Sequence, residues 1–238
     1  MKKAWNSQLG QDKYIYEKIF KNKNDGVFVE VGAHDGVFLS NTFSLEEMGW
    51  SGVCIEPSRM SRNLSLRRKR SLSFNYCVCP KELDGQLVRH RENFQSEISY
   101  TIFGDLYEPP NYAKSLETQE GEYCDRLKKC KTLDSILEES KLEKNIDYIS
   151  VDTQGSEWLV IKDFPFKKWN VKVFTIANDM FQGGIKKENR EKTKSLMESN
   201  GYKLKKAFSL HELKKENWGK DFDDQILEDL YIKQGEKP

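Results

Sequence analysis

The stretch Phe28-Val29-Glu30-Val31-Gly32-Ala33-His34-Asp35-Gly36 constrains the fold more than any other part of the chain. An apolar strand runs into a glycine and then a tight Asp-Gly turn. Roughly twenty residues further on, a second apolar run, Gly52-Val53-Cys54-Ile55, ends in Glu56, the spacing of a nucleotide-binding βαβ unit. Glycines at such a turn let backbone approach a ligand closely. An acid closing the second strand is placed to accept hydrogen bonds from ribose hydroxyls.

A dinucleotide fold wants G-x-G-x-x-G, because pyrophosphate must rest on a helix N-terminus. This chain has Glu30-x-Gly32-x-x-x-Gly36, with Asp35 inside the turn. A carboxylate there repels a pyrophosphate and suits a ligand bearing an ammonium and a sulfonium, S-adenosyl-L-methionine (SAM). The rival is an NAD-dependent oxidoreductase. It would want a full glycine triplet and, commonly, a Tyr-x-x-x-Lys pair on a helix, and neither is convincing here.

The rest of the chain alternates strands and helices. Apolar periodicity puts Ile15, Ile19 and Phe20 on one face of a helix over 11–20. Strands are expected at 27–31, 52–56, 74–79, 146–151 and 171–176. Two more, at 202–207 and about 229–233, close the tail. Helices are expected from Ser40 or Asn41 to Gly49, after Thr132, over Glu157–Lys162 and over 186–200. Asp84-Gly85 predicts a hairpin returning into 86–91. The pattern is α/β: a largely parallel sheet with one antiparallel edge strand, in a three-layer sandwich. Residues 94–128 read as an irregular insertion in a single domain spanning 1–238, and a loop that long is usually functional or mobile.

Lys+Arg 39 against Asp+Glu 38 leaves a net charge of +1, so no global field draws in nucleic acid or a membrane. The run Arg67-Arg68-Lys69-Arg70 reads as a solvated helix end. No apolar run reaches membrane-spanning length, and the N-terminus lacks a signal-peptide core. Five cysteines without a C-x-x-C spacing suggest reduced thiols in a cytoplasmic or host cytosol-like compartment. Cys54, Cys77 and Cys79 fall in expected strands, where packing is their expected role.

Ligands of open α/β sheets bind at the carboxyl ends of the strands. Those ends carry Asp35 with Gly36, Glu56, Asp152, and Asn178 with Asp179. Acids pooled at one rim need a cation. A sulfonium supplies part of it, and Mg²⁺ or another divalent ion on Asp152, Asn178 and Asp179 could supply the rest. Asn-Asp after a strand is equally an ordinary turn signal. Methylating an alcohol needs a base or a metal that lowers its pKa. Asp152 is the first candidate for that role, then Glu157 and His34. His90 and His211 lie off the expected rim and read as surface residues.

Together these pieces resemble the FkbM-type SAM-dependent methyltransferases. The matching segments run in order: Ser7-Gln8-Leu9-Gly10-Gln11-Asp12, the Phe28–Gly36 turn, Ser40-Asn41-Thr42, Gly49-Trp50-Ser51-Gly52, Ile55-Glu56-Pro57, Thr132-Leu133-Asp134, and Ile146 through Glu157. The resemblance implies a Rossmann-like class I methyltransferase fold with a seven-stranded sheet and helices on both faces. It also implies methyl transfer to a hydroxyl, often on a sugar or a glycosylated product, so the expected partner is a small-molecule or glycan acceptor. It sets Glu30, Gly32, Asp35 and Glu56 around SAM, with Gln11, Asp12, Ser40 and Asn41 close by and the adenine near Cys79.

Two positions depart from the family pattern. Ala177 stands where the family commonly has an acid, and Gln154 where it usually has Glu. Ala177 supports a second rival, a non-catalytic glycan- or protein-binding module on a degenerate methyltransferase fold. Trp158, Phe181, Tyr100 and Tyr107 are as a group candidate aromatic platforms for a sugar, though any one of them reads first as a core residue.

Overall fold

The computed structural model describes residues 5–94, 99–103, 123–178, 183–209 and 226–235. Among the described residues, eleven strands form two sheets. In chain order they are β1 (Val27–Val31), β2 (Ser51–Ile55), β3 (Ser71–Phe74), β4 (Cys77–Val78), β5 (Leu87–Asn93), β6 (Ser99–Ile102), β7 (Tyr123–Lys131), β8 (Asn145–Val151), β9 (Asn170–Ala177), β10 (Tyr202–Ser209) and β11 (Ile226–Lys233). The main sheet has seven strands in the order β10-β11-β9-β8-β1-β2-β3. All neighbours from β9 to β3 are parallel, and β11 runs antiparallel to both β9 and β10 at the far end.

The central strands are buried on both faces, so they read as near-continuous apolar runs. Alternate side chains feed two cores. Val29, Val31, Ile149 and Val151 meet the helices Leu133–Ser140 and Glu157–Ile161 on one face. Phe28, Cys54 and Tyr148 meet Ile15, Tyr16, Leu45 and Trp50 on the other. The first helix starts as an α-turn at Gln11–Lys13 and continues as a π-helix over Tyr14–Ile19. Thr132 caps its helix as expected, with Oγ1 accepting from Ser135 N at 3.0 Å. Ser156 precedes its helix without a side-chain capping bond.

The second sheet, β4-β7-β5-β6, occupies the connection between β3 and β8. It alters two expectations. Asp84-Gly85 does not fold β5 back on the preceding strand: β4 is two residues long and pairs with β7, while β5 lies antiparallel to β6 and β7. The irregular insertion is also part strand, at 99–102 and from 123 onward. Pairing β4 with β7 sets Cys77 opposite Cys130 and brings Cys79 to Cys130, which the structure joins as a disulfide. That corrects the reading of all five cysteines as thiols. Cys54 and Cys77 are buried, and burial pushes both thiols up to about 12, so they pack as neutral groups.

Candidate functional site

Register decides where the functional residues meet. Val31 lies opposite Ile55 on one side and Val151 on the other, so Gly32, Glu56 and Asp152 leave the sheet at one level. A cavity of about 240 Å³ opens there. It is lined by the turn after β1, the ends of β2 and β8, the segment 38–41, and residues of the second sheet. A Cβ on Gly32 (φ +86°) would sit on the Asp152 carbonyl oxygen, so this glycine is needed for close packing of β1 against β8. Three non-glycine lining residues also adopt left-handed backbone: His34 (φ 50°), Leu39 (φ 54°) and Gln154 (φ 59°). Such conformations cost energy and concentrate at functional sites.

The carboxylates at this rim differ in how they are held. Glu30 lines the cavity, but its charge is matched internally. It accepts from Ser40 Oγ (2.9 Å), Asn41 N (2.7 Å), Thr42 Oγ1 (2.7 Å) and Arg68 Nη1 (3.1 Å). Arg68 is therefore no solvated helix end. It is fully buried, and it also binds Glu46 Oε2 at 2.9 Å. Asp35 does not line the cavity, nor does Gly36. Asp35 accepts from Val37 N (2.9 Å) and Phe38 N (2.8 Å) and pairs with Arg67. Burial works to raise its pKa, but these bonds and Arg67 hold it below the usual carboxylate range. Its counter-charge is thus Arg67.

Glu56 lines the cavity and is oriented by two backbone groups, His34 N on Oε2 and Ser58 N on Oε1, both at 2.8 Å. Asp152 lines it from the β8 side, with Gln154 Nε2 3.3 Å from Oδ1. Glu157, a candidate for the base, lies outside the lining. Its Oε1 accepts from Thr153 N (2.8 Å) and Gly155 N (3.0 Å), so it shapes the loop that carries Gln154. Burial, then the charge of Asp152, pushes its pKa up to about 7. His34 lines the cavity beside Phe38, with ring centroids 6.1 Å apart.

Other expected cofactor residues separate into two groups. Ser40 and Asn41 line the cavity; Gln11, Asp12 and Cys79 do not. Gln11 is bonded to Glu228 and to Leu9 N. Asp12 ties the N-terminal segment down through Asn6 N, Ser7 Oγ and Ser44 Oγ. Val78, the neighbour of Cys79, faces the cavity. Asn178 bonds Leu227 O through its backbone and stands outside the lining. Asp179, Phe181, Tyr107 and His211 lie outside the described residues. Among the described residues, no group of three or more His, Cys, Asp or Glu side chains is arranged to hold a metal. Tyr100 lines the cavity, whereas Trp158 packs against two core clusters.

His90 overturns its reading as a surface residue. It is 1% exposed, lines the cavity, and lies 3.1 Å through Nδ1 from Thr101 Oγ1. Burial, then the nearby Lys128, lowers its pKa to about 3. The signal was available in the alternation of β5, where Val88 and His90 share the inward phase. His90 Nε2 and Asn41 Oδ1, both on lining residues, are buried without a hydrogen-bond partner. Among the described residues, no helix is long and apolar enough to cross a membrane.

The methyltransferase FkbM domain model matches residues 30–204. No curated protein matches the chain. It is similar in structure to Aeropyrum pernix fibrillarin with natively bound S-adenosyl-L-methionine, at 11% identity over 97% of this chain and 76% of that one, TM-score 0.45. It is also similar to the precorrin-6y C5,15-methyltransferase of Geobacter metallireducens, at 9% identity over 98% of this chain and 91% of that one, TM-score 0.41.

Proposed function

The chain belongs to the methyltransferase FkbM domain family, and on that premise we propose that it is a SAM-dependent O-methyltransferase acting on a hydroxyl of a sugar or glycan. One observation carries the reading: Glu56 and Asp152 line the same cavity from the two strands flanking β1. SAM supplies a methyl group activated on a sulfonium. The lining fits it. Glu56 spends two acceptor sites on backbone N–H groups, and a carboxylate has about four, which leaves sites for ribose hydroxyls. Asn41 Oδ1, buried without a partner, suits an ammonium N–H. Asp152 adds negative charge beside the sulfonium.

Asp152 is also the base. Its carboxylate takes the acceptor's hydroxyl proton as the oxygen–methyl bond forms and the carbon–sulfur bond breaks. Glu157 is a positioning residue, through the backbone of Thr153 and Gly155. Tyr100 offers the acceptor an aromatic wall. A small-molecule or glycan acceptor, rather than nucleic acid, agrees with a net charge of +1.

Asp152→Asn should lower kcat by about 10²–10⁴, with a much smaller weakening of SAM affinity, read by calorimetry. Glu56→Gln should weaken SAM by roughly ten- to a hundredfold, the size of a lost hydrogen bond to a charged group; unchanged affinity would contradict the site. A panel of sugars incubated with labelled SAM and read by mass spectrometry tests the acceptor class. SAM binding without turnover on any of them would favour the non-catalytic rival.

A further inference from the structure

The reaction above leaves one buried group of the cavity unused. His90 lies opposite Thr101 in the β5–β6 register. The Thr101 hydroxyl donates to Cys77 Sγ at 3.4 Å; with that donation its oxygen accepts across the 3.1 Å contact, and this pairing assigns the proton to His90 Nδ1. Nε2 is then a bare lone pair, buried and without a partner. A buried acceptor left unpaired is costly, and a ligand N–H or O–H would relieve it.

The second sheet is tied to the β2 side of the cavity. Arg59 N donates to Glu92 Oε2 at 3.3 Å. Asn75 Nδ2 donates to Glu56 O at 2.7 Å, and Asn75 Oδ1 accepts from Lys128 Nζ at 3.0 Å. Asp152 follows β8, on the other side of β1. A ribose held by Glu56 therefore carries its base away from the reacting centre, toward Pro57, Tyr76, Val78 and His90. The first three give a planar ring apolar contact.

We infer that His90 Nε2 accepts a hydrogen bond from the exocyclic amine of the cofactor's adenine, and so selects the base. The inference rests on the SAM reading. An imidazole this hard to protonate stays neutral across the physiological range and is a weak base, which suits recognition rather than proton removal.

Calorimetric titration with S-adenosylhomocysteine and its inosyl counterpart, in which a carbonyl replaces the amine, tests it. The wild-type protein should prefer the adenosyl form by roughly ten- to a hundredfold. His90→Phe should bring the ratio close to unity. His90→Gln, whose amide oxygen is an acceptor, should keep part of the preference, and Asp152→Asn should keep all of it. Equal wild-type affinities would overturn the inference whether or not any variant folds, and so would an unchanged ratio in folded His90→Phe. Failure of the wild-type protein to bind either compound would overturn the SAM reading as well.

Discussion

Arg68 holds the wall of the site together. Its guanidinium reaches Glu46 (2.9 Å), Glu30 (3.1 Å), the Gly36 carbonyl (3.1 Å) and Thr42 Oγ1 (2.7 Å), and it is fully buried. Removing one partner of a buried ion pair leaves the other charge stranded, and here two acids would be stranded at once. Arg68→Met should therefore lower unfolding free energy by about 3–5 kcal/mol, measured by urea denaturation. Arg68→Lys should recover only part, because an ammonium cannot span the same fork of acceptors. A loss below about 1 kcal/mol would show that the network is dispensable. The basic run looked like solvated surface because charge runs usually are. The contrary signal was Glu30 itself, an acid inside an apolar strand, which needs a buried cation or donors to match it. In the same way Asp35 was legible as a turn residue, while Arg67, the partner that discharges it, was hidden by the break between the 3-10 turn Arg59–Asn63 and the short helix Leu64–Arg67.

At the scale of elements, the main sheet was readable and the second was not, for a physical reason. Parallel strands buried on both faces announce themselves as apolar runs closed by glycine or acid, as β1, β2 and β8 do. In the second sheet β4 is two residues long, and β7 carries Asp125, Arg126, Lys128 and Lys129 along a largely exposed stretch. Neither has a hydrophobic period to find. Pairing of Cys79 with Cys130, separated by 51 residues, is a property of that unreadable sheet. The bond ties β4 to β7 and so braces the sheet that carries His90 and Tyr100. Cys130→Ser should cost about 2–4 kcal/mol. Dithiothreitol should lower the melting temperature of the wild-type protein and leave that of the variant unchanged. A wild-type melting temperature indifferent to the reductant would remove the bond from the account.

Across the whole molecule, the cofactor end of the sheet concentrates buried acid. Glu157 and Glu228 both have pKa values pushed up to about 7, by burial first, with Asp152 adding to each. In the unfolded chain such groups titrate near 4.3. Between those limits the folded protein holds protons that the unfolded chain has released, so stability falls as pH rises through the window. The full effect is on the order of 3–4 kcal/mol for each group. Asp35, Glu46 and Asp147 act the other way. Burial opposes them, but hydrogen bonds and cations hold their pKa values down, so their contribution is present above the unfolded carboxylate range and is lost as pH falls from there through the lower folded values. The two sets leave a stability maximum on the acid side of neutrality. Glu228→Gln separates them, because the amide keeps the shape and one acceptor oxygen, enough for either Gln11 or Asn41, without a charge to bury. Relative to wild type, the variant should gain stability at pH 8 and gain little or nothing at pH 5. Urea midpoints taken between those pH values measure the slope, and a wild-type midpoint that climbs steadily toward pH 8 would show that these acids are ionised in the folded protein and that another group balances their charge.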